Sequence, residues 1–246
     1  MINALLAAAT TDPAAVHYLP IATTVLSASF VMALLVRARK RAWAPHLMWW
    51  AIGIFFYGFG TAIESTITLG GNSELTNRLW YWAGAILGGY PLGVGSCYLL
   101  CSRKWANRLT AVSLVFVIVA SVLVFIGPMH VDQLEAHRPT GRGIWVWKWL
   151  PWLTPFINLY AVFFLVGGAM WSSYRFLTSD WNLGKAIGTT LIAVGGILPA
   201  IGGSMTKAGM VEALYVGEFV GLVLIITGYV ACVAKPRVAV EPQVSG

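Results

Sequence analysis

Residues 109–127 read Leu-Thr-Ala-Val-Ser-Leu-Val-Phe-Val-Ile-Val-Ala-Ser-Val-Leu-Val-Phe-Ile-Gly, with Thr110, Ser113 and Ser121 as the only polar side chains. A helix of about 20 predominantly apolar residues crosses the ~30 Å hydrocarbon layer of a bilayer, so this run reads as a membrane span. Its near-uniform aliphatic surface suits a peripheral helix facing lipid. Working outward, six further apolar runs flank it, at about 16–36, 46–69, 79–101, 150–172, 184–205 and 210–234, each bounded by charged residues, Pro or Gly. The 246 residues are 58% hydrophobic and only 10% charged, with a mean hydropathy of +0.75. Soluble domains average roughly 45–50% apolar and about 25% charged, so the chain lacks the polar side chains needed to wet the outside of a globule. The expectation is an all-α, polytopic membrane protein: one transmembrane domain over 1–246, built as a seven-helix bundle, with 235–246 as a tail and no room for a separate soluble domain.

Orientation follows from the positive-inside bias. One side of the seven-span arrangement receives eleven of the sixteen basic residues, namely Arg37, Arg39, Lys40, Arg41, Arg103, Lys104, Arg108, Arg175, Lys185, Lys235 and Arg237. The other side receives Arg78, Arg138, Arg142, Lys148 and Lys207. The richer side is expected to be cytoplasmic, which puts the amino terminus outside and the carboxyl terminus inside. Residues 1–20 carry no Lys or Arg ahead of a short apolar run, unlike a secretory signal, and read as an exposed tail.

The net charge of +7 does not indicate nucleic acid, because the basic residues are scattered at span ends in blocks of at most four. Membrane orientation accounts for them. The 12 tryptophans fall mostly at span ends, where an indole ring sits in the interface with its N–H wet. Cys97, Cys101 and Cys232 lie in apolar segments and read as small packing residues, not as a disulfide framework.

Two carboxylates stand apart: Glu64 in span 2 and Glu218 in span 7. A charge at the centre of a span costs on the order of 2.5–3.5 kcal/mol on insertion scales, so such residues face the bundle interior or a watery cavity. Gly53, Tyr57, Gly60 and Glu64 recur at helical spacing, as do Gly217, Glu218, Gly221 and Gly228, and span 3 adds Gly84, Gly88, Pro91 and Gly95. These faces are expected to pack closely at the centre, with spans 2, 3, 6 and 7 inside, span 4 outside and a kink at Pro91. At 1.5 Å per residue Glu64 lies ~6 Å and Glu218 ~10 Å from the outer ends of their spans. Asn158, Tyr81 and Tyr215 fall near the same depth. One reading is a polar pocket in the outer half, formed by Glu64, Glu218, Asn158, Tyr57, Tyr81 and Tyr215, that binds a cation, a proton or a hydroxylated ligand. The other is that each carboxyl bonds to a neighbouring helix, or pairs with Arg78. If the two carboxyls share one cavity, one of them is expected to hold a proton.

Several chemistries are disfavoured. The four histidines, His17, His46, His130 and His137, lie at span ends or in loops, which leaves no axial haem ligands or buried zinc set inside the bundle. Gly93-Val94-Gly95-Ser96 is not a rhomboid-type nucleophile motif, span 7 has no lysine to carry retinal, and P-loops and dinucleotide fingerprints are absent. His130, Asp132, Glu135 and His137 crowd the loop after span 4, in no spacing of known metal-ligand geometry. No catalytic or metal-ligating residue and no cofactor is assigned. Trp145, Trp147 and Trp149 alternate with Val146 and Lys148, a segment fit to lie on the membrane surface or to close over the pocket as a lid.

Glycine and proline matches at offsets of 133 and 135, such as Pro20 with Pro155 and Gly60 with Gly195, suggest a parallel duplication of spans 1–3 and 5–7 around span 4. Many carriers are built on repeats of this kind.

The stretch 78–87, Arg-Leu-Trp-Tyr-Trp-Ala-Gly-Ala-Ile-Leu, followed at 92–100 by Leu-Gly-Val-Gly-Ser-Cys-Tyr-Leu-Leu, resembles a segment of an uncharacterised family of bacterial multi-span inner-membrane proteins. In that family an aromatic-Arg-x-x-Tyr-x-x-Gly-Ala start leads to a Leu-Gly-x-Gly-x-x-Tyr-Leu-Leu end; here Asn77 replaces the aromatic. Residues 46–64 are similar to the same proteins, and the likeness spans about a quarter of the chain. The resemblance implies a bacterial inner-membrane location and carries no activity. The functional expectation is a non-enzymatic membrane protein that binds a small ligand, a lipid or a partner subunit in the outer-half pocket. The alternative is a cation- or proton-coupled small-solute carrier. The expected partners are the lipid bilayer and a membrane subunit.

Overall fold

The computed structural model describes residues 15–141, 143–206 and 210–234. Among them no strand forms, and seven helices are long and apolar enough to span a membrane: α1 (Ala15–Lys40), α2 (Pro45–Gly70), α3 (Glu74–Leu100), α4 (Arg103–Ile126), α5 (Leu150–Thr178), α6 (Leu183–Thr206) and α7 (Val211–Val233). The chain is therefore a multi-pass membrane protein. The 1–14 stretch, Arg142, Lys207 and the tail with Lys235 and Arg237 lie outside the described residues, so four of the basic residues counted for orientation are not placed.

Helix ends follow local chemistry. α2 starts with Pro45 at its first position, after Ala42 and Trp43 turn the chain through φ of 51° and 56°. Proline is suited there because its missing N–H is one that no helix start can use. α3 begins five residues ahead of the apolar run, because Ser73 and Thr76 form a reciprocal capping box: Ser73 Oγ accepts from Thr76 N at 3.2 Å and Thr76 Oγ1 accepts from Ser73 N at 2.8 Å.

Six of the helices close a ring in the order α1, α2, α3, α5, α6, α7, with α7 returning to α1. α4 leans on α3 from outside. Of their apolar stretches 61% is buried in α3 and 50% in α2, while α4 packs chiefly on α3, so the aliphatic helix is peripheral, as its composition suits. α6 and α7 depart from the expectation of a common glycine-rich centre, since only 39% and 22% of theirs is buried. Their glycines instead serve contact with each other. A Cβ on Gly195 would stand 2.5 Å from the Gly221 carbonyl oxygen, and one on Gly221 2.7 Å from that of Gly195. The two backbones touch, as small-residue spacing permits.

The Gly84/Gly88 pair does not work this way. Gly84 is exposed, and a Cβ there would meet nothing within 4 Å. A Cβ on Gly88 would strike the Gly84 carbonyl of its own helix at 2.6 Å. These glycines belong to an irregular passage, a π-helical segment at Tyr81–Leu87 and a bend at 88–89, after which the α-helix restarts at Tyr90. Pro91 has no N–H for the Leu87 carbonyl, so regular α-helix cannot run through. α5 carries a second π-helical segment, Val162–Gly167.

Gly221→Leu is expected to destabilise the protein in detergent by about 1–3 kcal/mol through overpacking of the α6–α7 contact, read as a fall in thermal unfolding temperature. Gly84→Ala, in contrast, is expected to leave that temperature nearly unchanged.

Candidate functional site

Glu64 sits six residues before the end of α2 and Glu218 seven residues into α7, depths of ~9 and ~10 Å from the same end of the bundle. The antiparallel packing of the ring brings their carboxyl groups within hydrogen-bonding reach of each other. Glu64 is 1% exposed. Its Oε1 accepts from the Trp80 indole N–H at 2.7 Å, while Glu64 Oε2 and Glu218 Oε2 are both buried with no hydrogen-bond donor. Tyr57, one helical turn pair below Glu64, donates its hydroxyl to the backbone carbonyl of Glu218 at 2.7 Å. Tyr215, fully buried, lies alongside Thr68 and close to both carboxyls, with its ring edge-on to His17. Thr24 and Thr61 share a hydroxyl bond of 2.8 Å between α1 and α2. Two neighbouring carboxyls in a buried site can accommodate a proton or a cation.

The pair is roofed by the connection from α4 to α5. Asn77, completely buried, clasps Thr140 as a β-strand neighbour would, donating Nδ2 to its carbonyl at 2.9 Å and accepting its N–H on Oδ1 at 2.8 Å. Asn72 N donates to the Ala136 carbonyl at 2.7 Å, and Asn72 Nδ2 donates to that of Arg138 at 2.9 Å. The His137 ring lies 3.2 Å from the Thr68 carbonyl. Arg138 Nη2 reaches Glu212 Oε1 at 3.1 Å, and His17 Nε2 stands 3.4 Å from the same oxygen. Gly141 lies against the Trp80 ring, since a Cβ there would be 3.5 Å from it. One indole thus touches the roof with its ring and Glu64 with its N–H. The Trp-rich segment is folded in only at its start: Ile144 and Trp145 are buried at 0% and 2% exposure, whereas Val146 and Trp149 are exposed at 45% and 50%.

Of the six residues expected to line one pocket, Glu64, Glu218, Tyr57 and Tyr215 gather, and Tyr81 and Asn158 do not. Tyr81 follows Trp80 by one position and so points elsewhere on α3, edge-on to Trp145 at 5.2 Å and beside Thr154. Asn158 belongs to the part of α5 that packs against α3, away from α7. Arg78 does not pair with either carboxylate. It bonds to Glu74 Oε1 at 2.6 Å and to the Val124 carbonyl at 2.6 Å, beneath the Trp145 ring. The site members missed in the sequence are Trp80, Thr68, Arg138, Glu212 and His17. A signal for Trp80 existed: in an antiparallel hairpin turning at about residue 72, positions 64 and 80 stand at equal depth.

Elsewhere, no group of three or more His, Cys, Asp or Glu side chains is gathered for a metal among the described residues. Cys97, Cys101 and Cys232 are free thiols. A groove of about 420 Å³ opens sideways between α3, α4 and α5, lined by Tyr90, Val112, Phe116, Leu153, Phe156 and Tyr160 among others. Compared with known proteins, the chain matches no family model, no curated protein and no solved structure.

Trp80→Phe removes the indole donor to Glu64 Oε1 and is expected to cost about 1–3 kcal/mol. In a Glu64→Leu background the same change is expected to cost clearly less, and unfolding measured for the four proteins gives the coupling; equal costs in both backgrounds would deny the bond any role. Asn77→Ala is expected to speed protease cleavage within 128–149, because it leaves both Thr140 backbone groups unpaired.

Proposed function

We propose that this chain is a carrier of the bacterial inner membrane, with its amino terminus outside and its carboxyl terminus in the cytoplasm, that takes up a proton or a monovalent cation at the Glu64–Glu218 pair to drive movement of a small solute. The observation that carries the reading is the pair itself: two carboxyls from different helices, within hydrogen-bonding reach, each with a buried oxygen that has no donor. Intramembrane carboxylates mark ion pathways and proton relays because a buried charge persists only where it is used or neutralised. The enclosure of the site, with Glu64 1% exposed, favours this reading over a pocket for a hydroxylated ligand. Access from outside then requires the 128–149 connection to lift, which breaks the Arg138–Glu212 contact. The positive-inside count supports the orientation, and a three-plus-one-plus-three duplication belongs to the same reading.

Binding of a lipid is the second reading. It is favoured by the lateral groove beside α4, which faces the hydrocarbon layer and suits an acyl chain of a bilayer lipid.

Reconstitution into proteoliposomes containing a pH-sensitive dye separates these. The carrier reading expects flux driven by a proton or alkali-cation gradient, lost in Glu64→Gln and in Glu218→Gln and retained in Asp132→Asn, which alters an exposed loop carboxylate. Absence of gradient-driven flux in the wild-type protein, or full flux in both glutamine variants, overturns it.

A further inference from the structure

The two ends of the bundle differ in how their charges are met. The end that holds the acidic pair also holds every close contact between basic and acidic side chains among the described residues: Arg78 with Glu74, Arg138 with Glu212, and His17 with Glu212. At the opposite end the α1–α2 turn brings Arg37, Arg39, Lys40 and Arg41, and the α3–α4 turn brings Arg103, Lys104 and Arg108. The one described acid at that end is Asp180, on the α5–α6 turn. None of the seven cations is paired with a carboxylate among the described residues.

The two basic turns are neighbours, because the start of α2 packs against the end of α3, where Gly95 lies against the Trp50 indole and the His46 carbonyl. Arg37 is half-buried and the other six cations are exposed. Three guanidiniums lie over aromatic rings: Arg37 over Tyr229 at 5.7 Å, and Arg103 over Tyr98 and Arg108 over Trp105, both at 5.4 Å. Contact with a ring uses up no N–H···O bond, so these donors stay available to an oxyanion. Tyr98 is itself fixed, since its hydroxyl donates to Asn107 Oδ1 at 2.8 Å. Arg103 and Lys104 open α4, where the helix dipole is positive, so like charge is concentrated there with no carboxylate to offset it.

The surface next to these cations is apolar. Val36, Leu99, Leu100 and Val112 are exposed on α1, α3 and α4, and Trp43 and Trp105, set among the cations, are 56% and 57% exposed. Exposed indoles beside exposed aliphatic side chains mark the border of the hydrocarbon layer. The unpaired cations therefore stand at the level of lipid headgroups.

We infer that the 37–43 and 103–108 turns form a binding surface for anionic phospholipids. The ring-backed guanidiniums, with Lys40 and Lys104, hold the headgroup phosphates, and the acyl chains run along the exposed apolar faces of α1, α3 and α4. A guanidinium takes phosphate through two parallel N–H···O bonds. Each Lys or Arg close to an anionic membrane surface adds roughly fivefold to the attraction. A soluble anion would match the charge but would leave the indoles and the aliphatic border without a role. The inference needs only that the chain spans a membrane, and so goes beyond the carrier reading without resting on it.

Native mass spectrometry of the whole protein, in neutral detergent with equal amounts of phosphatidylglycerol and phosphatidylcholine, tests it. The wild-type protein is expected to retain phosphatidylglycerol over phosphatidylcholine on the order of tenfold. The combined variants Arg39→Gln/Lys40→Gln/Arg41→Gln and Arg103→Gln/Lys104→Gln/Arg108→Gln are each expected to lower that preference several-fold. Lys148→Gln, an exposed cation at the other end, is expected to leave it unchanged. Because these charges also bear on insertion, the wild-type protein in about 0.5 M salt is the second measurement, and screening there is expected to remove most of the preference. Equal retention of the two lipids by the wild-type protein overturns the inference. So does a preference that survives both combined variants and salt, or displacement of the lipid by soluble glycerol phosphate at the same concentration. Gradient-driven flux, which decides the carrier reading, is a separate measurement, so either result can fail without the other.

Discussion

A carboxyl group carried ~9 Å into a hydrocarbon layer must find partners within the protein, and Glu64 finds them on two other helices. Its Oε1 takes the indole N–H of Trp80 on α3, and its carboxyl lies beside that of Glu218 on α7. This one residue therefore fixes the relative depth of α2, α3 and α7. Trp80 is held in turn, with its ring under Gly141 of the 128–149 connection, so the roof and the acidic pair meet through a single side chain. A polar group that cannot be hydrated from outside organises the end of the bundle around itself.

The irregularities of α3 lie where this demand is met. The π-helical segment Tyr81–Leu87 begins directly after Trp80, and the α-helix does not resume until Tyr90, just ahead of Pro91. Trp80 and Tyr81 are adjacent at the start of this segment and so point about 100° apart, Trp80 to Glu64 and Tyr81 to Trp145 and Thr154. The broken hydrogen-bond ladder is tolerated because Gly84 and Gly88 carry no side chain and the segment sits in the most enclosed helix of the ring.

Around this centre the remaining helices differ in what holds them. α6 and α7 meet backbone to backbone through glycines such as Gly195 and Gly221, a contact sustained by dispersion and close approach, since the hydrophobic effect does not drive helices together inside lipid. α4 has no such face and stays at the edge, and its poor fit against α5 leaves the lateral groove.

What the sequence determined was whatever depends on composition and length. Seven runs of about 20 apolar residues dictate seven membrane helices, since no other structure satisfies the backbone in hydrocarbon. The aliphatic surface of residues 109–127 put α4 outside, Pro91 marked the break in α3, and the cost of intramembrane charge singled out Glu64 and Glu218. Which residues surround those carboxyls was decided only by the tertiary structure. Periodicity assigns a side chain to a face of its own helix and gives a depth along it, but not the rotation of one helix against the next. For that reason Tyr81 and Asn158, correct in depth, stand apart from the pair. Trp80, read as one more interfacial tryptophan, is the donor at its centre. The same holds for the loop: its residue types pointed to solvent or a metal, and its place over the acidic pair came from Asn72, Asn77 and Glu212, whose bonds to it cross 60 or more residues of chain.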